Sequence, residues 1–277
     1  MKLPGGIKID GALKRNFRFK PVTGTLEMVL CECASEAGST PERITAVLSE
    51  TLEKLGDTAV SVSRVRDLSV GDRQYLMSQL ATHIDDQLIW LTAECGQCRE
   101  LFDVPMRFAD LPVKPADDHY PETSVDTDQG RLQVRVPTGA DQEAIAEIGD
   151  GIEALNLLLQ RIVSTADPSG VLDITRLSEA EIADIEARVE AMAPEIATHL
   201  NTRCPSCETE NQLPIDLYAI LQRPVGDLYA EIHRLASAYH WSESDILELP
   251  RARRQRYLQL IDVHRGMLNQ NSVLEAG

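Results

Sequence analysis

Two Cys-x-x-Cys pairs carry the clearest chemistry in this chain: Cys95-Gly-Gln-Cys98 and Cys204-Pro-Ser-Cys207, more than a hundred residues apart. Each leads into an aliphatic-Pro-aliphatic step, Val104-Pro105-Met106 in one case and Leu213-Pro214-Ile215 in the other. Each then reaches a further apolar pair, Phe108 with Leu111 and Leu217 with Ile220. Such matched surroundings imply that Cys95, Cys98, Cys204 and Cys207 are the two halves of one tetrahedral zinc site in a paired knuckle ribbon. Four thiolates leave no open position for water or substrate, so the ion would stabilise a fold and perform no reaction. Two other readings stay open: a thioredoxin-like redox pair, which needs a thiol activated at a helix N-terminus, and two reduced pairs without metal. Against redox, Pro105 follows Cys98 too closely for a long helix to begin there. Cys31 and Cys33 fall in an apolar helical stretch and read as small core residues.

The remaining candidate groups offer less. His240 beside Trp241 reads as a packed corner at a helix boundary, and Asp85-Asp86 and Asp117-Asp118-His119 lack further carboxylates at cation-loop spacing and read as solvated. The sequence has no phosphate-cradling glycine loop, nucleophile elbow or His-Glu-x-x-His, so the expectation is a protein that is not an enzyme. Charge is uneven: Gly139 to Thr198 holds thirteen Asp or Glu against three Arg, whereas Arg251, Arg253, Arg254, Arg256 and Arg265 cluster near the C-terminus. The plain reading is solvated helix faces. The functional reading makes Arg251, Arg253, Arg254, Arg256 and Tyr257 a partner-binding end that docks on an acidic surface of another protein or another copy.

The elements that position these groups follow from periodicity. Phe17 and Phe19 alternate with basic residues as a half-buried strand ending at Pro21. Leu26, Val29, Leu30 and Cys33 mark a helix closed by Gly38. A second helix has Thr40 as N-cap, Pro41 at its first position, an apolar face from Ile44 through Leu52 and Leu55, and Gly56 as its stop. Val65-Arg66-Asp67-Leu68-Ser69-Val70-Gly71-Asp72 parallels Val134-Arg135-Val136-Pro137-Thr138-Gly139-Ala140-Asp141: an apolar-Arg strand end, a capping hydroxyl, and an Asp three places on, each leading by way of a helix to its own cysteine pair. That order suggests an internal duplication with a helical insertion in the second copy.

Leu111 to Gly130 reads as a polar, Pro-rich linker, and Arg131 to Val136 as a strand. Helices are expected over 141–165 and 179–199, the latter opened by Ser178-Glu-Ala-Glu181 and bent or interrupted at Pro194. Further helices follow around Val225 to Tyr239, after the cap Ser242, and over Arg251 to His264, with Gly266 as a stop and a mobile tail from Asn269. The fold class is α+β, mostly helical with short strands, with two zinc-knuckle halves sharing one site. It divides as 1–115, a linker 116–130, 131–222 with the acidic insertion, and a helical 223–277.

At 277 residues and 43% hydrophobic content the chain can bury a real core. A net charge of −17 argues against nucleic acid and anionic membranes as partners, and 4% aromatic residues are too few for a base-stacking platform. No apolar run approaches a membrane span and Met1-Lys-Leu-Pro-Gly-Gly6 lacks a signal-peptide core, so the expected location is the cytoplasm, where paired cysteines bind metal more often than they form disulfides.

Several blocks together resemble a known group: Leu3-Pro-Gly-Gly-Ile-Lys-Ile-Asp10, Phe19-Lys-Pro-Val-Thr-Gly-Thr-Leu-Glu27, Leu68-Ser-Val-Gly-Asp-Arg73, Tyr239 to Pro250, and Arg254-x-Arg-Tyr-Leu258. They look like baseplate or hub-associated proteins of contractile tails, from T4-like bacteriophages and phage-like contractile injection systems, over most of the chain except the acidic insertion. The resemblance implies a structural or assembly role, with other baseplate, hub or tail-tube proteins as partners, possible homo-oligomers and incorporation into the tail particle. It transfers no catalytic residue, and the zinc reading is independent of it. Readings from other classes are a zinc-ribbon adaptor for nucleic acid or transcription machinery, for which the cysteine surroundings offer only Arg99 and Arg203, and a thiol redox protein.

Overall fold

Alternating Phe17 and Phe19 do form a strand, with both rings buried. A computed structural model describes residues 1–35, 38–165, 172–219, 225–264 and 266. In it β1 (Lys2–Ile9) and β2 (Ala12–Phe19) are a hairpin turned by Asp10 and Gly11, both in the left-handed region at φ 50° and 77°. Helices α1 (Gly24–Ser35) and α2 (Thr40–Thr51) follow, and β3 (Leu52–Leu55) and β4 (Thr58–Ala59) complete a sheet in the order β1-β2-β3-β4.

Two local expectations are corrected here. The N-cap of α2 is Ser39, not Thr40, and it closes a reciprocal box with Glu42. The helix also stops at Thr51: Leu52 and Leu55 keep helical spacing but pair in β3 with Phe19 and Phe17. Helix and twisted strand both turn these leucines inward, and β2 supplies the backbone partners that only the strand can use. The first core gathers here, with Val47, Leu48, Leu55, Val65, Leu68, Leu76, Met77 and Leu80 excluded from water. Cys33 lies in this cluster, and Cys31 is buried as well.

Val65 and Arg66 do not end a strand, as the repeat had implied. They lie in α3 (Val62–Arg66), capped by Ser61, and α4 (Val70–Ile84) follows with Ser69 as its cap. Next come β5 (Ile89–Glu94), β6 (Leu101–Met106), a 3-10 turn at Phe108–Asp110, β7 (Val113–Lys114), β8 (Glu122–Thr127), β9 (Gly130–Arg135) and α5 (Gly139–Ile145). The two capping segments meet. Ser69 and Thr138 form an antiparallel bridge, in which Val70 N–H donates to Pro137 O at 3.1 Å and Gly139 N–H to Leu68 O at 3.0 Å.

Their paired acids have opposite fates. Asp72 accepts from the N–H groups of Gly5 and Gly6, from Ser69 Oγ and from Tyr120 OH, and its burial pushes the pKa up in spite of these donors. Burial acts upward on Asp141 too, but Arg135 and the Thr138 backbone and hydroxyl outweigh it and bring its pKa down to about 2. Arg161 also donates to it, at 2.8 Å.

The polar stretch expected to be an exposed linker is largely built into the fold. β8 pairs with β9, β9 with β10 (Val163–Thr165), and Val125 of β8 is buried with Leu132, Val134, Leu159 and Ile162 in a second core. Strand pairing and one inward side chain decide the conformation against the polar composition. The helix expected over 141–165 divides, because Asp150 caps a new helix α6 (Gly151–Ile162) through Ile152 N–H and Glu153 N–H. After a 3-10 turn at Ile174–Arg176, α7 (Glu179–Met192) opens on the expected Ser178 and Glu181 box and ends before Pro194. Of the two expected effects of Pro194, bend or interruption, the structure shows interruption. β11 (Glu195–Ile196) then pairs with β7, and β12 (His199–Arg203) with β13 (Glu210–Pro214).

A third core joins α1, by way of Met28, to α8 (Val225–Tyr239), α9 (Glu243–Glu248) and α10 (Arg251–His264). Ser242 caps α9 as expected. Tyr239, Trp241 and Tyr257 pack their rings together at the corner where exposed His240 takes φ 57°. Ile220, Arg265 and the tail from Asn269 lie outside the described residues. The result is a mixed α and β fold, and among the described residues no helix is long and apolar enough to cross a membrane.

Candidate metal centre

Two hairpins, β5–β6 and β12–β13, hold the cysteine pairs at their tips. Their strands close on Glu94 opposite Leu101 and on Arg203 opposite Glu210, leaving loops of equal length. Within each loop the hydrogen bonds repeat. Cys95 N–H donates to Glu100 O at 2.9 Å and Arg99 N–H to Cys95 O at 3.0 Å; Cys204 N–H donates to Thr209 O at 3.0 Å and Glu208 N–H to Cys204 O at 2.9 Å. The residue after each second cysteine is left-handed, Arg99 at φ 64° and Glu208 at φ 59°. Burial repeats as well, with Cys95 and Cys204 enclosed and Cys98 and Cys207 at the surface.

The loops bring all four sulfurs within 4.8 Å of one another. Contacts run across the loops, Cys95 Sγ to Cys207 Sγ at 3.6 Å and Cys98 Sγ to Cys204 Sγ at 3.6 Å. Both separations are far beyond the ~2.05 Å of a disulfide. They lie close to the edge of a tetrahedron with ~2.3 Å metal–sulfur bonds, about 3.8 Å. The donor set therefore fits a tetrahedral thiophilic ion such as zinc, held by Cys95, Cys98, Cys204 and Cys207.

Electrostatics point the same way. The backbone N–H groups of Cys98 and Gln97 lower the Cys95 pKa to about 6, and the hydroxyl and backbone of Thr209 lower that of Cys207. A backbone bond at Glu100 acts downward on Cys98, but Cys207, burial, Cys204 and Cys95 together push it up to about 12. Sulfurs this close cannot all ionise by themselves, and a divalent cation removes that conflict.

Beneath the tips, Ala93, Phe102, Val104 and Leu213 pack around Cys95 and Cys204. The aliphatic-Pro-aliphatic steps meet one layer further in, where Met106, Leu111, Ile196, Ile215 and Leu217 share a small core that Phe108 and Tyr75 also touch. Sequence reasoning missed Asn211, whose side chain reaches from one loop to the other. Its signal was a polar residue in β13 at the register where β6 carries Phe102.

The basic C-terminal residues occupy mixed positions. Arg254 is fully buried and donates to Glu27, Glu231 and Leu249 O, so it is no surface ligand. Arg251 pairs with Glu27 at 3.8 Å and Asp85 at 3.4 Å, Tyr257 stands in the aromatic corner, and Arg256 bonds Gln259. Arg253 is exposed.

Comparison with known proteins gives one family: the model described as T4 bacteriophage base plate protein matches residues 2–217, from β1 through both cysteine loops. No curated protein and no solved structure matches the chain.

Proposed function

The chain belongs to the T4 bacteriophage base plate protein family, and from that premise we propose that it is a non-enzymatic structural component of a contractile-tail baseplate, clamped by one structural zinc ion. The convergence of four sulfurs from two distant hairpins carries the reading. When bound, the ion would supply charge neutralisation and a cross-link between the hairpins, with no open position for chemistry. Matching caps, equal loops and repeated loop hydrogen bonds support an internal duplication as the origin of the paired site.

The protein acts in this reading through contacts with other baseplate, hub or tail-tube proteins and stays with the assembled tail. Arg253 remains the basic contact candidate on the C-terminal helices. The alternative readings have less support. A redox pair needs only the two thiols of one loop, whereas here the sulfurs of both loops lie together. A nucleic-acid ribbon would need a basic tip, but Arg99 and Arg203 are paired with Glu94 and Glu210.

The test has two arms. Elemental analysis of the purified full chain should return about one zinc per molecule; none or two overturns the clamp. Mass spectrometry of isolated tails and baseplate intermediates should find the chain in stoichiometric amounts with hub or tube subunits, and its absence from all of them removes the baseplate role.

A further inference from the structure

Asn211 occupies a position that the symmetry of the two hairpins does not explain. It lies opposite Thr202 in β12–β13, where the other hairpin places Phe102 opposite Ala93. Its amide touches both loops. Oδ1 accepts from Gly96 N–H at 3.1 Å, while Nδ2 donates to Thr209 O at 2.8 Å and is 3.8 Å from Cys95 Sγ. One planar group thus holds the backbone of the first loop, the backbone of the second, and a ligand sulfur contributed by the first.

We infer that Asn211 is a positioning residue for the metal: it orients Cys95 from the opposite hairpin and tunes the donor strength of that sulfur. This rests on the zinc reading above. The physical basis is twofold. An N–H aimed at a thiolate withdraws charge from it, and a group that bridges both loops holds the ligands together before the metal arrives, lowering the ordering that binding requires. Phe102, at the matching position of the other hairpin, offers an apolar ring and no amide, so the two halves of the clamp are chemically unequal. Cys95 is the sulfur whose environment Asn211 alters.

Two variants separate the contributions. Asn211→Leu removes all three contacts. Asn211→Asp keeps an acceptor for Gly96 N–H but loses the donor and sets a carboxylate beside the thiolates. Competition with a chromophoric chelator, using the full chain and zinc alone as the probe, should show binding weaker by about 10–100-fold in both variants, as for outer-shell partners of other metal sites. In the cobalt-substituted protein the sulfur-to-metal charge-transfer band should move in both, a change that general destabilisation does not produce. Asn201→Leu, on the same hairpin with an exposed side chain, should leave affinity and band unchanged. If wild type takes up no zinc, the metal centre itself is wrong. If wild type holds zinc and both Asn211 variants match it in affinity and spectrum, the centre stands and the positioning role is overturned.

Discussion

Arg254 Nη2 in α10 donates to Glu27 Oε1 in α1 at 2.5 Å, across 227 positions of sequence. With Glu231 and Leu249 O as its other partners, this fully buried guanidinium ties the three C-terminal helices to α1. A buried charge is stable only while its partners remain, because isolated it carries the whole desolvation penalty.

Removing one side of that contact should therefore do more harm than removing a surface pair. Glu27→Ala leaves Arg254 with Glu231 as its one carboxylate partner, beside Leu249 O, and also deprives Arg251 of a partner. The expected loss is about 3–5 kcal/mol by urea denaturation, with early proteolytic release of α8 to α10. Glu53→Ala, which breaks the exposed pair with Arg18, should change stability by less than about 1 kcal/mol. Equal effects would show that the buried network does not fasten the C-terminal helices.

Acid should expose a second electrostatic dependence. The Asp141 pKa is about 2, below its ordinary value, so its contribution is complete above the unfolded-state value near 4 and disappears as pH falls toward 2. The change should be on the order of 2 kcal/mol between pH 5 and pH 2. Asp141→Asn lacks the ionised carboxylate at every pH, so its stability curve should be lower at neutral pH and flatter across the acid limb. A variant as steep as wild type between pH 5 and pH 2 would assign the acid sensitivity elsewhere.

Features with a strictly local cause were legible in the sequence. The caps Ser69, Ser178 and Ser242 needed only a hydroxyl and an acid three places on, and the cysteine loops needed only their repeated surroundings. What failed depended on distant partners. Leu52 and Leu55 have helical spacing, and only the open edge of β2 makes them a strand. Thr123 to Gly130 has linker composition, yet β9 recruits it into a sheet. Arg254 looks like its neighbours in the basic run, and nothing nearby in sequence announces that Glu27 would draw it inside. The convergence of the cysteines lay between these cases: a long-range contact that was readable because four thiols at metal-ligand spacing have few other stable uses.

Gly71 sits in the Leu68-Ser-Val-Gly-Asp-Arg73 block, and the reason lies across the fold. A Cβ there would be 1.8 Å from Pro194 O and 2.7 Å from Pro194 C, backbone atoms that cannot rotate aside. Gly71→Ala must push α4 away from the segment entering β11, with an expected loss of about 3 kcal/mol or more. Gly149→Ala, with no atom within 4 Å of the added carbon, should stay within about 0.5 kcal/mol of wild type. Thermal melts of the two variants decide it, and a neutral Gly71→Ala would mean that α4 and Pro194 are not in contact.

The proposed metal clamp would make the strongest demand on stability, because it would join hairpins that otherwise share small apolar clusters and the Gly96–Asn211 hydrogen bond. Cys204 is enclosed and its sulfur faces Cys98. Cys204→Ser should abolish stoichiometric zinc and lower stability by several kcal/mol, or prevent soluble expression. Cys31→Ala, in the distant α1, should retain full zinc and lose only what a smaller buried side chain implies, about 1 kcal/mol. Chelating the metal from wild type should reproduce the Cys204→Ser melt, and returning zinc should restore wild-type stability but leave the variant unchanged. If wild type and Cys204→Ser melt together with and without chelator, the four sulfurs are close by packing alone and the hairpins do not depend on an ion.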